Sequence, residues 1–219
     1  MASPDLAAIR TQLFAAVLSD CLDQVGVTKQ ALPPRTRPLD EESVMVGRAP
    51  TAAYMEVYAA TPGENPYELE IALVDSLRPG EIPVFACSNP QRVGPWGGLL
   101  STAARVRGAA GALMDGCVRD IEAIRTMGFP VFHGGIAPVD SRGKRQDHGH
   151  RRSHRMRRVP VAPGDLVFGD ADGVVVIPQR VAAEVLRLAF EKVAGERDTL
   201  RELEAGRPLS EVFARHGIL

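Results

Sequence analysis

The residues best suited to chemistry lie in two short stretches in the middle of the chain. The first, residues 94–98, places Gly97 and Gly98 directly before a segment with helical periodicity. Glycine lets the backbone approach a ligand closely, and the first N–H groups of a helix have no acceptor within that helix. Such a junction is suited to binding an anion, in particular a carboxylate.

The second stretch is the pair Arg119 and Asp120, which follows an apolar segment ending at Asp115. A guanidinium can donate two N–H groups to a carboxylate or an enolate oxygen. An aspartate beside it can bind Mg²⁺, which prefers oxygen ligands and retains several waters. Together with an anion-binding backbone, this pair could stabilise an enolate. A simpler alternative remains open, in which the glycines serve close packing and Asp120 caps a helix.

Hydrophobic periodicity predicts the elements that would position these residues. Residues 96–107 predict an amphipathic helix, with Trp96 packed in the core. Because predicted strands alternate with helices, the sequence indicates an α/β core that binds ligands at the carboxyl ends of its strands. The other predicted elements are helices over 5–26 (broken near Thr11), 119–127, 178–204 and 209–214, a helix from Asn65 and Pro66, and strands over 44–58, 82–87, 111–114, 166–168, 174–177 and from Val131.

The composition is that of a globular protein, with 45% hydrophobic residues, 24% charged residues and a net charge of −1 over 219 residues. This balance argues against nucleic acid or membrane as a partner. No apolar run approaches the roughly 20 residues that span a bilayer, and the first residues lack the features of a signal peptide. We therefore expect a soluble, cytoplasmic protein with one domain over 1–219, helical at about 1–30 and 178–219.

Three motifs resemble one known family. They are Trp-Gly-Gly-Leu-Leu-Ser-Thr-Ala-Ala at 96–104, Met-Asp-Gly-Cys-Val-Arg-Asp at 114–120, and residues 163–178 around Gly-Asp-Ala-Asp-Gly. The chain resembles the regulator of ribonuclease activity A (RraA) family, which includes the 4-hydroxy-4-methyl-2-oxoglutarate/4-carboxy-4-hydroxy-2-oxoadipate aldolases. The resemblance implies a layered α/β/β fold of the swivelling type, with N-terminal helices and a long C-terminal helix. It also implies a homotrimer or hexamer with sites at subunit interfaces.

The same resemblance implies a role for each residue of the two stretches. Asp120 would bind the metal, Mg²⁺ or Mn²⁺, and Arg119 would hold the keto or enolate oxygen of pyruvate. The pyruvate carboxylate would be bound by four successive backbone positions, Gly97, Gly98, Leu99 and Leu100.

The implied reaction is that of a metal-dependent (class II) lyase acting on a small oxo-acid. It would be retro-aldol cleavage of a 4-hydroxy-2-oxo diacid, or decarboxylation of oxaloacetate, through a pyruvate enolate. No lysine lies between Lys29 and Lys144 to form a Schiff base. The second hypothesis is a non-catalytic regulator that binds an endoribonuclease. The presence of Arg119 and Asp120 favours the enzyme.

Two further features bear on how efficiently such a site could catalyse the reaction. The aldolases carry an acidic residue at the position of Gly98, so its absence here favours weak decarboxylation over efficient aldol cleavage. The family also uses a glutamate from the C-terminal helix of a neighbouring subunit to orient a catalytic water. Glu196 is the candidate for this role, with Glu191 and Asp198 as alternatives.

Residues 146–158 are rich in arginine and contain His148, His150 and His154. They could form a metal cluster or a nucleic-acid patch, but we expect neither function. Our hypothesis is that the segment is a frame-shifted passage. If the natural protein does have these residues, they should form a poorly ordered basic loop. With suitable codons, a shift of one base yields Arg-Ile-Met-Asp-Ile-Asp-Val-Pro-Ile-Glu-Cys-Gly-Gly, an alternating strand followed by a turn.

Two other polar residues have structural roles as their first expectation. Asp115 is expected to hydrogen-bond the turn that presents Arg119, with service as a second metal ligand as the alternative. His133, at a strand end, is expected to be a hydrogen-bonded histidine.

Overall fold

Seven helices and thirteen strands lie within the residues that the computed structural model describes, which are 5–55, 65, 67–87, 91–141, 146–147 and 154–217. The helices are α1 (Leu6–Gln12), α2 (Ala15–Gln24), α3 (Glu68–Asp75), α4 (Gly98–Val106), α5 (Ile121–Thr126), α6 (Ala182–Glu204) and α7 (Leu209–His216). The strands are β1 (Arg37–Pro38), β2 (Met45–Arg48), β3 (Thr51–Met55), β4 (Val84–Cys87), β5 (Ala112–Met114), β6 (Cys117–Val118), β7 (Val131–His133), β8 (Gly135–Ile136), β9 (Gln146–Asp147), β10 (His154–Met156), β11 (Val159–Val161), β12 (Leu166–Asp170) and β13 (Gly173–Ile177).

Two main sheets organise these strands. The larger is 6-stranded in the order β1-β7-β5-β4-β3-β9, with β7, β5, β4 and β3 parallel and an antiparallel strand at each edge. The smaller is antiparallel, in the order β13-β12-β2. Short pairs are formed by β6 with β8 and by β10 with β11.

Alternate side chains of each strand face different apolar layers of the protein. In β5, Leu113 faces the core between the two sheets, whereas Ala112 and Met114 face the core under α3, α4 and α5. In β12, Val167 faces the same inter-sheet core, and its neighbours pack beneath α1, α2 and α6. Because successive side chains of a strand point to opposite faces, each of these strands contributes to two apolar layers, and together they contribute to three. This arrangement confirms the predicted layered α/β/β fold with N-terminal helices and a long C-terminal helix.

Several predicted boundaries were wrong for local reasons. The strand predicted over 44–58 is two strands, β2 and β3, in different sheets, and residues 56–58 lie outside the described part of the chain. Pro50 stands between them and has no N–H for a strand ladder. The long C-terminal helix begins at Ala182, because a turn over 178–181 precedes it.

The conditional expectation of a poorly ordered basic loop over 146–158 was wrong for the described residues of the segment, which are 146–147 and 154–158. Gln146–Asp147 pairs with β3, and His154–Met156 forms an antiparallel hairpin with β11. His148 and His150 lie outside the described residues. None of the described helices is long and apolar enough to cross a membrane.

Candidate metal and keto-acid site

Arg119 and Asp120 connect β6 to α5, directly beside the glycine junction that precedes α4. The backbone of Val118 bridges to Trp96 in parallel register, and the N–H of Arg119 donates to the Trp96 carbonyl at 3.1 Å. These contacts bring together the two stretches that the sequence separates.

Trp96 anchors this junction in the core. Its ring is 1% exposed and lies 5.4 Å from Phe85 and 6.5 Å from Phe129, measured between ring centroids. Its indole N–H donates to the Ser101 hydroxyl at 2.7 Å, and that hydroxyl donates to the Gly97 carbonyl at 3.0 Å. The predicted core position of Trp96 is confirmed, and the start of α4 is held rigidly by it.

Asp120 adopts a left-handed backbone conformation, with φ 58° and ψ 40°. Its side chain does not cap its own helix α5. Instead, Oδ2 accepts the N–H of Gly98 at 3.0 Å, at the N-terminus of α4. The helix dipole favours an ionised carboxylate there. Within the described residues, Oδ1 of Asp120 makes no hydrogen bond and no ion pair and is available to a ligand.

The two glycines of the junction have different surroundings. A Cβ atom at Gly97 would lie 2.7 Å from Oδ2 of Asp120 and 3.3 Å from Cγ of Arg119. At Gly98 the nearest atoms would be Cβ of Asp120 at 3.4 Å and Cβ of Ala123 at 3.5 Å, which are ordinary contacts. A side chain at position 97 would therefore displace the Asp120 carboxylate, whereas position 98 has room for a Cβ.

Four backbone positions were predicted to bind a carboxylate, and in the structure they differ in whether their N–H groups are available. The N–H of Gly98 is engaged by Asp120, and Gly97 is the residue before the helix. Leu99 and Leu100 lie in the first turn, where N–H groups have no acceptor within the helix. Leu99 exposes 88% of its surface, so this end of α4 is open to solvent.

The guanidinium of Arg119 lies 3.6 Å from Oδ1 of Asp140, and both side chains are about one-third exposed. A 370 Å³ open cavity adjoins this pair, which is within the size range of small-molecule sites. Its walls come from β6, the start of α5 and the segment after β8: Val118, Arg119, Asp120, Ile121, Ile136, Ala137 and Pro138.

The donor set fits a hard cation that keeps most of its waters. Among the residues that the structure describes, no group of three His, Cys, Asp or Glu side chains could enclose a metal ion. Asp120 alone offers a carboxylate oxygen to the cavity. Mg²⁺ and Mn²⁺ are commonly held by one or two carboxylates together with substrate oxygens and water, and softer metals need more nitrogen or sulfur ligands.

The candidate glutamate lies elsewhere in the same chain. Glu196 sits on α6 and lines an apolar groove with Phe14, Val193 and Leu200, not the cavity at Arg119. The alternatives Glu191 and Asp198 are paired within α6, with Arg187 at 2.8 Å and Arg201 at 3.1 Å. A role for Glu196 therefore depends on a neighbouring subunit, and it stays a prediction.

Asp115 and His133 do not have the surroundings that the sequence suggested. Asp115 is 2% exposed and accepts the backbone N–H of Cys87 at 2.6 Å, with Arg157 at 3.5 Å, so it stabilises the end of β4 rather than the turn at Arg119. Burial raises the pKa of its carboxyl, although the Cys87 N–H and Arg157 oppose that effect. His133 is buried, and neither ring nitrogen has a hydrogen-bond partner within the described structure. Burial lowers the pKa of its imidazole.

Asp140 and Tyr67 are functional candidates that were missed. Asp140 belongs to the motif Ile-Ala-Pro-Val-Asp-Ser at 136–141, yet nothing in its spacing indicates a contact with Arg119. Only the packing of the segment after β8 against Tyr67 and α3 brings these residues together.

Comparison with known proteins shows the family to which this chain belongs. A family model described as Aldolase/RraA matches residues 15–176. A protein of Halalkalibacterium halodurans named "Putative 4-hydroxy-4-methyl-2-oxoglutarate aldolase" is 34% identical over 180 residues, 82% of this chain and 79% of that protein. An uncharacterised protein of Methanocaldococcus jannaschii is 36% identical over 119 residues, 54% of this chain and 56% of that one, so this chain spans about half its length.

A solved structure extends the likeness to the whole described fold. It is Streptomyces coelicolor RraAS2, described as an unusual member of the RNase ES inhibitor RraA protein family. The TM-score is 0.76 at 24% identity, over 94% of this chain and 100% of that one. This likeness shows a shared fold.

Proposed function

Because the chain belongs to the RraA-like family, we propose that it is a divalent-metal-dependent carbon–carbon lyase acting on oxo-diacids through a pyruvate enolate. The family includes proteins named as aldolases and others described as ribonuclease inhibitors. The observation that supports an enzyme is that Arg119 and Asp120 line one small cavity, while Asp120 also binds the N–H of Gly98 at the open first turn of α4.

Each residue has a distinct part in the proposed reaction. A cation held by Asp120 would place positive charge beside the keto oxygen of the substrate. Arg119 donates N–H groups to that oxygen as it gains negative charge, an interaction that is strongest in the transition state. The N–H groups of Leu99 and Leu100 bind the adjacent carboxylate and fix its orientation.

Oxaloacetate illustrates the bond changes. The bond between C3 and C4 breaks, CO₂ leaves, and the bonding electrons form the enolate of pyruvate. A proton then adds at C3 and gives pyruvate. We propose that Glu196 of the neighbouring subunit orients the water that supplies this proton, as part of a trimer or hexamer.

Gly98 favours decarboxylation over aldol cleavage in this chain. Retro-aldol cleavage requires removal of a proton from the substrate hydroxyl, for which a carboxylate near the metal is useful. Position 98 has space for such a side chain but carries none. Pyruvate-like ligands should therefore bind well, whereas cleavage of a 4-hydroxy-2-oxo diacid should be slow. Gly98→Asp is the change expected to shift the balance toward cleavage.

The alternative is a protein-binding regulator of an endoribonuclease. The fold shared with RraAS2 is the observation that favours it. A regulator of that kind has no need for a metal-dependent cavity, so the two proposals differ in what loss of Asp120 does.

The test is pyruvate release from oxaloacetate with Mg²⁺ or Mn²⁺, measured above the rate of the metal ion alone. The proposal predicts turnover that a chelator abolishes and that Asp120→Ala reduces to background. Asp23→Ala, an exposed aspartate of α2, is the matched control and should be as active as the parent. No protein-dependent turnover, or an unaffected Asp120→Ala variant, would exclude the enzyme.

A further inference from the structure

We propose that Asp140, held by Tyr67, is a positioning residue that fixes the guanidinium of Arg119 in its reactive orientation. This inference rests on the proposed function, because it assigns a purpose to the orientation of Arg119. Its physical basis is a set of contacts between three segments far apart in the sequence.

Asp140 is itself held at both carboxylate oxygens. Oδ2 accepts the phenolic O–H of Tyr67 at 2.6 Å, and Oδ1 accepts the backbone N–H of Ser141 at 2.7 Å. Both distances are at the short end of the ordinary range, as expected for an ionised acceptor. The carboxylate therefore cannot rotate freely to follow Arg119, and the arginine must adapt to it.

A second contact ties the same segment to α3. Glu70 is 2% exposed, and its Oε1 accepts the hydroxyl of Ser141 at 3.0 Å. Tyr67 and Glu70 are separated by three positions, so they share one face of the helix start. Two neighbouring residues, Asp140 and Ser141, are thus held by Glu70 of α3 and by Tyr67 directly before that helix, and the position of Asp140 is set by the fold.

The Arg119 side chain passes beside Gly97, where the missing Cβ leaves room for it. The ideal Cβ position at Gly97 lies 3.3 Å from Cγ and 3.5 Å from Nε of Arg119. The stem of the arginine therefore passes beside Gly97, through space that a larger residue would narrow, while its far nitrogen lies by Asp140. Because Asp140 is itself held in place, it sets the direction in which the guanidinium faces.

The distance to Asp140 leaves the guanidinium free to bind substrate. At 3.6 Å, the two groups attract each other, but the separation exceeds that of a hydrogen bond. A guanidinium has five N–H donors. Asp140 can hold one end electrostatically without taking the donors that an enolate oxygen needs.

Orientation of this kind acts on the rate more than on the affinity. A long arginine side chain loses rotamer entropy when it is ordered, and Asp140 imposes part of that loss before substrate arrives. Because negative charge develops on the substrate oxygen only during reaction, a misplaced Arg119 should lower kcat more than it raises KM.

The test compares Asp140→Asn and Tyr67→Phe with Asp40→Asn as the matched control. Asp40 forms an exposed ion pair with Arg125 of α5 at 2.9 Å, so its loss mimics the removal of a surface charge without touching Arg119. We expect kcat/KM for oxaloacetate to fall roughly tenfold in Asp140→Asn and about threefold in Tyr67→Phe, mostly through kcat. Asp40→Asn should be unchanged, as should the Tm of all three.

A second readout does not require activity. Reaction of Arg119 with phenylglyoxal, followed by mass spectrometry of its peptide, should be about threefold faster in Asp140→Asn, because a partly exposed ion pair gives its members only modest protection. It should also rise in Tyr67→Phe and stay unchanged in Asp40→Asn. In an Arg119→Gln background, Asp140→Asn should cause no further loss of turnover.

Failures of the two proposals are distinguishable. If the parent protein shows no turnover above the metal ion alone, the proposed function is overturned, and the labelling rates decide whether Asp140 and Tyr67 hold Arg119. Unchanged labelling of Arg119 in both variants overturns the positioning role. An equal loss of activity from Asp140→Asn with and without Arg119 also overturns it, since Asp140 would then act on something else.

Discussion

Two neighbouring glycines carry different constraints at the start of α4. A Cβ atom at Gly97 would lie 2.7 Å from Oδ2 of Asp120 and would displace that carboxylate, whereas a Cβ atom at Gly98 would make only ordinary contacts. Asp120 itself holds a left-handed conformation that is uncommon outside glycine, although asparagine and aspartate adopt it more often than other residues. Such strained positions persist where the surrounding structure imposes them, and they concentrate at functional sites.

Gly97→Ala is therefore expected to disable the site without unfolding the protein. The added methyl would push the Asp120 carboxylate away from the N–H of Gly98, so the affinity for Mn²⁺ should fall roughly tenfold or more. Electron paramagnetic resonance of free Mn²⁺ measures this directly, and the Tm reports on folding.

Gly98→Ala is the matched control for that change. Because position 98 has room and lies in a helix, this variant should bind Mn²⁺ as the parent does and gain about 0.4–1 kcal/mol of stability. Equal effects of the two substitutions on Mn²⁺ binding would show that the contact between Gly97 and Asp120 is irrelevant to the metal.

His133 makes the fold sensitive to acid. Burial lowers its pKa from the usual 6.5, so below that pH the unfolded chain takes up a proton that the folded protein resists. The free energy of unfolding should therefore be at its full value above about pH 6.5 and decrease as the pH falls toward the folded-state pKa. Asp115 acts with the opposite sign, because its pKa is raised above 3.8.

His133→Gln should accordingly lose less stability than the parent between about pH 7 and pH 5. Thermal unfolding at several pH values measures the difference. Parallel curves for the two proteins would mean that His133 carries no part of the acid sensitivity.

At the scale of elements, hydrophobic periodicity predicted the helices and strands whose formation depends on nearby residues. The amphipathic helix after Trp96, the short strand before Asp115 and the break in the first helix all follow from the spacing of apolar residues. The periodicity did not show that the chain passes from one sheet to the other at Pro50, within a single apolar run. The partnership of Asp140 with Arg119 and Tyr67 could not be predicted, because it depends on contacts between distant segments and leaves no spacing signal.

The hairpin of β10 and β11 was not predicted, because the arginines and histidines of this segment are not typical of a strand. Its turn contains Arg157 at φ 62°, a conformation that favours glycine, and Met156 beside it is 0% exposed. The alternative reading frame places Cys at position 156 and Gly at positions 157 and 158, which suits a buried strand end and a two-residue turn.

We therefore expect resequencing of the gene, or the intact mass of the natural protein, to show an altered reading frame across residues 146–158. The hairpin would then be an ordinary alternating strand and a glycine turn. An uninterrupted frame that encodes the arginines and histidines of this segment would contradict the hypothesis, and Arg157 would be a strained residue that pairs with Asp115.

At the scale of the whole molecule, the layers place the site at one face and Glu196 at another. Arg119 and Asp120 lie beyond the carboxyl ends of the parallel strands, where α/β proteins bind ligands. Glu196 lies on the outer helix α6 in a separate groove. A site that uses both must combine two subunits.

This arrangement predicts complementation between inactive variants. Arg119→Ala and Glu196→Ala should each be inactive as pure oligomers. In an equal mixture of exchanged subunits, half the subunits retain Arg119 and half of their neighbours retain Glu196, so about a quarter of the sites should recover. Subunit exchange without any recovery, or full activity of Glu196→Ala alone, would contradict a shared site.

The most direct test of the central proposal is a crystal structure with oxalate or pyruvate and Mn²⁺, with the metal located by its anomalous signal. We predict Mn²⁺ at Oδ1 of Asp120 and a carboxylate of the ligand at the N–H groups of Leu99 and Leu100. The keto oxygen of pyruvate, or the other carboxylate of oxalate, should contact Arg119. Mn²⁺ bound away from Asp120, or a ligand that leaves Arg119 and α4 untouched, would contradict it.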